Sequence, residues 1–153
     1  MKNQKTYTRW IRNITRTLCV ILDMDSTLSQ PIGESWEDTA NHQPIQPILD
    51  LAHALHKHGY DLVISTARPE SNRADTERWL YKHLPQFSAL YMRPEFVKAS
   101  VMKEGALLDI DENWDVAFAI DDSPFNAAMY NENGVLCMRP TTNEEYWATV
   151  GDT

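Results

Sequence analysis

Apolar residues fall in short unbroken runs along this chain instead of alternating with polar ones. The runs are Leu18-Cys19-Val20-Ile21-Leu22, Leu62-Val63-Ile64, residues 88–92, Val116-Ala117-Phe118-Ala119-Ile120 and residues 135–138. A run of this kind reads as a strand covered on both faces, the condition of a parallel sheet. Helical patterns lie between the runs. Residues 44–58 carry Ile45, Ile48, Leu49, Ala52 and Leu55 on one stripe and close at Gly59. Asn72 with Asp75 caps a segment reaching about His83, which Pro85 stops, and residues 99–108 and 124–131 complete the set. Alternating strand and helix predicts an α/β, Rossmann-like fold: a five-stranded parallel sheet with right-handed crossovers and helices on both faces.

The ends of the runs carry the chemistry. Asp23 and Asp25 follow the first run and precede Ser26-Thr27; the second run ends in Ser65-Thr66-Ala67-Arg68; the fourth ends in Asp121-Asp122. Lys103 stands 18 positions before Asp121, near the start of the helical segment that leads to that strand. One aspartate after a strand is often only a turn former or a helix cap. Here acids, a hydroxyl and a lysine converge on the carboxyl edge of the sheet, where ligands of parallel sheets bind. Paired acids at a buried strand end need a counter-charge, and a divalent cation, hard and oxygen-seeking, supplies one.

Taken in order, Asp23-Met24-Asp25-Ser26-Thr27, Thr66-Ala67-Arg68, Lys103 and Asp121-Asp122 resemble the four motifs of the haloacid dehalogenase (HAD) superfamily of phosphotransferases. Within it the chain is most similar to the 3′-phosphatase domain of bacteriophage polynucleotide kinase. The stretches that carry the similarity are Val-Ile-Ser-Thr-Ala-Arg-Pro-Glu-Ser at 63–71, Val101-Met102-Lys103-Glu104 and Ala119-Ile120-Asp121-Asp122, within a likeness covering about residues 17–140. The resemblance implies a HAD phosphatase fold and an aspartyl-phosphate mechanism. Asp23 would be the nucleophile and Asp25 the general acid and base, while Thr66 and Lys103 would hold the phosphoryl oxygens, with Arg68 a further substrate-binding group. Mg²⁺ would be bound by Asp23, the backbone carbonyl of Asp25, Asp121 and Asp122. Ser65 is the less suitable hydroxyl, because Thr66 aligns before Ala67-Arg68. Two departures from the family pattern are Ser26, where glycine is usual, and the lack of any Arg or Lys in 29–43, where the phage domain has a substrate-holding arginine.

Length narrows the architecture. With 153 residues, 42% of them hydrophobic, the chain has room for one core. The expected division is a basic arm at 1–16 and a HAD-like domain at 17–153. Both usual insertion points are short, at 29–43 and 69–102, so no cap domain is expected. An uncapped site admits large substrates such as a nucleic-acid end. Net charge is −8, but Lys2, Lys5, Arg9, Arg12 and Arg16 precede the first acid. The acidic remainder argues against tight nonspecific duplex binding, while the arm reads either as a solvated terminus or as a contact to a phosphate backbone. The run at 18–22 is too short for a membrane span, and no signal peptide is evident, so a cytoplasmic protein with no membrane partner is expected.

Other motifs read as structural. Asp109-Ile110-Asp111-Glu112-Asn113 begins like a calcium loop, but Trp114 and Ile120 stand where that loop needs Gly and Glu, so a solvated turn is expected. His53, His56 and His58 share a helix end and read as surface or dipole contacts. Cys19 and Cys137 read as reduced core thiols. Trp36 is a candidate base-stacking residue against a rim or core role. No Gly-x-x-x-x-Gly-Lys loop occurs, so no kinase half is expected. The functional expectation is a Mg²⁺-dependent phosphomonoesterase for nucleic-acid 3′-phosphate ends. The alternatives are a phosphatase of free nucleotides or other small phosphate esters, and a HAD-fold binding protein without turnover.

Overall fold

A computed structural model describes residues 15–31 and 36–152, the side chains of residues 36 and 37 excepted. The arm cations Lys2, Lys5, Arg9 and Arg12, and the stacking role considered for Trp36, lie outside the described residues. The element order is β1 (Leu18–Leu22), β2 (Ser29–Gln30), β3 (Gln43–Pro44), α1 (Gln46–Lys57), β4 (Asp61–Pro69), α2 (Arg73–His83), β5 (Phe87–Arg93), α3 (Ala99–Asn113), β6 (Asp115–Ile120), α4 (Pro124–Glu132), β7 (Cys137–Met138) and α5 (Glu144–Trp147).

Strands β5-β4-β1-β6-β7 form one sheet in that order, and every pairing in it is parallel, as the unbroken apolar runs predict. Successive side chains of a strand point to opposite faces. Accordingly Val20 and Leu22 pack with Leu49 and Ala52 of α1 and Trp79 and Leu80 of α2, whereas Cys19 and Ile21 pack with Leu107 and Ile110 of α3 and Met129 and Tyr130 of α4. Both faces are covered, so β1 needs apolar residues at every position. Leu22 is fully buried, and truncating a leucine in such a place to alanine costs about 2–5 kcal/mol.

Register brings the chemistry together. Leu22 pairs with Ile64 on one side and Ile120 on the other. The residues that follow, Asp23, Ser65-Thr66 and Asp121, therefore emerge side by side at the carboxyl edge. The Asp23 amide donates to the Ile120 carbonyl at 3.0 Å and that of Asp121 to the Met138 carbonyl at 3.1 Å, which holds the loop starts in line.

Several elements differ from the sequence reading. Helix α3 continues to Asn113, so Asp109 to Asn113 are its final turn and not a solvated turn. Ile110 is the cause: it extends the Met102-Ala106 stripe by another four residues and is fully buried. Segment 29–43, expected only as a short insertion point, contains the antiparallel β2–β3 pair and a 3₁₀ helix at Trp36–Asn41. Pro44 sits in that pair opposite Ser29, so α1 starts later, at Gln46. Strand β4 reaches Pro69, β7 is only Cys137–Met138, and α5 lies beyond the last expected element. Gly59 does close α1, at φ +102°.

Arg16 is fixed at the far edge of the sheet. The amides of Thr15 and Arg16 both donate to Asp115 Oδ2 at 2.7 Å, and Arg16 Nη1 donates to the Asp111 carbonyl at 2.8 Å. Because Asp115 pairs with Leu18 at the start of β1, this end of the arm enters opposite the aspartate cluster. Burial pushes the Cys19 and Cys137 thiols up to about 12, so neither is a ready nucleophile. No helix among the described residues is long and apolar enough to cross a membrane.

Candidate active site

Three carboxylates and one ammonium meet where β1, β6 and α3 converge. Lys103, in the second turn of α3 and 1% exposed, donates from Nζ to Asp23 Oδ1 at 2.7 Å and to Asp121 Oδ2 at 2.6 Å. Asp23, Asp121 and Asp122 offer oxygens that lie within 4.8 Å of one another. Against a single ammonium, the trio leaves a net charge of −2, which one divalent cation balances. Hard carboxylate oxygens in this number suit Mg²⁺. The donor set therefore fits the ion.

The electrostatics carry the same signature. Burial and the neighbouring Asp121 hold Asp23 well above the ordinary carboxylate range, although Lys103 pulls it down. Asp122 is raised by burial, against a downward pull from the indole of Trp147. Burial alone lowers the Lys103 ammonium, but Asp121 and Asp23 reverse this and leave it raised well above its usual value. Acids pushed up by crowding are acids short of positive charge.

Local sequence explains the placement. Ser123 caps α4, its hydroxyl accepting from the Asn126 amide at 3.3 Å, and Pro124 occupies the first turn. That turn points the Ser123 amide at Asp121 Oδ1, 3.0 Å away, while Asn126 Nδ2 reaches both Asp121 oxygens at 3.3 and 3.2 Å. Thr27 Oγ1 donates to Asp23 Oδ2 at 3.1 Å. Ser26 takes a left-handed φ of +63° at the turn, which accounts physically for a glycine being usual there.

Asp25 stands apart from the trio. Its carboxylate accepts from Arg68 Nε at 2.9 Å and Nη2 at 2.7 Å. Arg68, expected among substrate-binding groups, is instead fully buried. It also reaches Ser29 Oγ at 3.4 Å, Thr76 Oγ1 at 3.2 Å and His42 Nδ1 at 3.0 Å. Because a guanidinium only donates, Nδ1 of His42 is the acceptor. Arg68 thus positions Asp25 and is not displayed to solvent. Thr66 and Ser65 take opposite faces of β4: Thr66 lines the cavity over Asp23, and Ser65 does not.

That cavity has a volume of about 620 Å³ and is walled on one side by the C-terminal segment, through Asn143, Tyr146, Trp147 and Asp152. Trp147 Nε1 donates to Asp122 Oδ2 at 2.7 Å, and Arg139 donates twice to the Asp122 carbonyl, at 3.1 and 2.9 Å. Asp23, Asp25, Thr66, Lys103, Asp121 and Asp122 all line the cavity, as the motif order predicts. His42, Asn126 and Trp147 were not foreseeable. They belong to no motif, and only the fold brings them to the aspartates.

A parallel five-stranded sheet with this edge defines a HAD-type phosphatase domain, without an inserted cap domain among the described residues. The chain belongs to the family described as the polynucleotide kinase PNKP phosphatase domain, whose model matches residues 17–144. Comparison with curated protein sequences gives no match. Among solved structures, one of a Pnkp1/Rnl/Hen1 RNA repair complex is similar at 24% identity and TM-score 0.77, over 84% of this chain and 44% of that one. Another Pnkp1/Rnl/Hen1 complex gives 24% and 0.76, over 82% and 46%. The D,D-heptose 1,7-bisphosphate phosphatase of B. bronchiseptica, solved with magnesium and phosphate, gives 16% and 0.64, over 90% and 88%. The chain thus spans less than half the length of the two Pnkp1-complex chains.

Proposed function

We propose that this chain is a Mg²⁺-dependent phosphomonoesterase that removes 3′-phosphate from nucleic-acid ends. The observation that carries the reading is the Asp23–Lys103–Asp121 cluster beside an independently held Asp25, in a cavity with no inserted lid among the described residues. Asp23 attacks phosphorus and the ester oxygen leaves, with its proton supplied by Asp25; Asp25 then takes a proton from the water that cleaves the aspartyl-phosphate. Lys103 and Thr66 hold the phosphoryl oxygens. Asp23, Asp121, Asp122 and the Asp25 carbonyl are the groups that would hold Mg²⁺, which when bound supplies charge neutralisation at the phosphoryl group. Family membership, and the RNA repair setting of the Pnkp1 relatives, support a strand end as substrate and RNA before DNA. The reading includes a cytoplasmic location, in keeping with two free cysteines.

A second reading, a phosphatase of free nucleotides or other small esters, is favoured by one feature. Among the described residues, the cations lining the cavity are only Lys103 and Arg93, few for a phosphate backbone. Turnover of a 3′-phosphorylated oligonucleotide is compared with that of nucleoside monophosphates and p-nitrophenyl phosphate. A kcat/KM for the oligonucleotide at least ~10-fold above the mononucleotides, falling more steeply with salt than for p-nitrophenyl phosphate, is expected of the strand reading. Better hydrolysis of mononucleotides with one shared salt slope selects the second.

A further inference from the structure

The cavity over Asp23 is much larger than a phosphoryl group needs, and its remaining volume is bounded by aromatic rings. Phe125, Tyr146 and Trp147 all line it. Phe125 and Trp147 meet at an interplanar angle of 66° with centroids 6.2 Å apart, and Tyr146 and Trp147 at 76° and 4.9 Å. Edge-on packing of this kind leaves ring surface uncovered. Tyr146 remains 45% exposed where it borders the cavity.

The wall is anchored to the reacting end of the site. The one N–H of Trp147 is committed to Asp122, Thr142 Oγ1 donates to the Ser26 carbonyl, Arg139 bonds the Asp122 carbonyl and Glu144, and Asp152 accepts from Ser100. A segment tied at both ends of the cavity presents its rings with little left to order on binding. An ordinary rim role explains aromatic edges against one another, but not three of them lining the chamber that holds the nucleophile. Aromatic faces beside a phosphate site match one ligand chemistry well: a base joined through a sugar to the phosphate. Tyr146 and Trp147 lie past the residues matched by the family model, and Phe125 lies within them.

We propose that Tyr146, with Phe125 and Trp147 behind it, forms a stacking subsite for the nucleobase of the nucleotide whose 3′-phosphate is removed. The inference rests on the strand-end reading above and adds that the terminal base is held, without hydrogen-bond readout, by stacking. It predicts a preference for a strand with a base at its phosphorylated terminal nucleotide over the same strand with an abasic terminal nucleotide.

The test measures kcat/KM of the full chain with Mg²⁺ on 3′-phosphorylated oligonucleotides that end in adenosine or in an abasic sugar. Stacking of one base predicts a wild-type ratio of roughly ten or more in favour of the base. In Tyr146→Ala the ratio falls toward one, while Tyr146→Phe, which keeps the ring, retains it. Equal rates on the two wild-type substrates overturn the subsite and leave the strand-end reading standing. A Tyr146→Ala variant that loses activity on both substrates in the same proportion also overturns it, because support of Asp122 through Trp147 would then be the residue's whole role. Hydrolysis of p-nitrophenyl phosphate with no action on either strand overturns the strand-end reading itself, and the subsite falls with it.

Discussion

Arg68 closes a two-pronged fork on Asp25, with Nε to Oδ2 at 2.9 Å and Nη2 to Oδ1 at 2.7 Å, from a position that is fully buried. Four further side-chain oxygens and nitrogens behind it, from Ser29, His42, Thr76 and, through Thr76, Asn72, fix the guanidinium plane. A group so held sets where a carboxylate points. Being fully buried and outside the cavity lining, it is not offered to a substrate.

Arg68→Lys is therefore expected to lower kcat by about 10²-fold, the scale of misplaced acid–base help, and to do so equally for p-nitrophenyl phosphate and for an oligonucleotide. Breaking the buried pair is also expected to cost about 3 kcal/mol of stability, read by urea unfolding. A selective loss on the oligonucleotide would show instead that Arg68 contacts the strand.

Asp23→Asn is expected to leave a folded protein with under about 1% of wild-type turnover, because an amide neither attacks phosphorus nor binds Mg²⁺ well. Asp25→Asn is expected to lose at least about 10²-fold. Circular dichroism alongside initial rates checks both, and normal rates in either variant remove the role assigned to that residue.

Metal removal should act on the Asp23, Asp121 and Asp122 trio. EDTA is expected to stop turnover, and saturating Mg²⁺ at about 100 times its Kd should stabilise the fold by about 2.7 kcal/mol. The pH dependence of the metal-free protein follows from the raised carboxyls of Asp23 and Asp122. Their folded values lie above the ordinary unfolded value of about 3.9, so the protonated forms favour the folded state. That contribution is full below the unfolded value and is lost as pH rises through the folded ones. Lys103, also raised, keeps its contribution until pH exceeds its unfolded value of about 10.4. The Tm in EDTA should therefore be lower at pH 8 than at pH 5.5, and Mg²⁺ should restore more at pH 8. Asp121→Asn should raise the metal-free Tm by relieving repulsion. A Tm that is flat with pH in EDTA, or full activity there, would contradict the site.

Ser26 offers a test of the backbone alone. Its φ of +63° costs a side chain-bearing residue about 1–2 kcal/mol, more than the ~0.4–1 kcal/mol that glycine loses through a freer unfolded chain. Ser26→Gly is expected to raise stability by about 0.5 kcal/mol with turnover intact, measured by thermal unfolding and p-nitrophenyl phosphate hydrolysis. A drop in Tm would mean that the Ser26 side chain contributes more than the strain it carries.

Local pattern was enough for the sheet and for the motif residues, because burial on both faces forces β1 and the Leu62–Ile64 stretch of β4 to be apolar and the register then carries Asp23, Thr66 and Asp121 to one edge. Lys103 was legible for the same reason, one helix away from a strand end. What tertiary packing decided was direction and company. Nothing in Thr66-Ala67-Arg68 says that the arginine turns inward to hold Asp25, since that depends on Ser29, His42 and Thr76 arriving from other elements. Nothing in the last dozen residues says that Trp147 returns to Asp122. Strand periodicity is written within a few neighbours; the partners of a buried charge are chosen across the whole fold, by whichever side chains can offset the cost of taking it out of water.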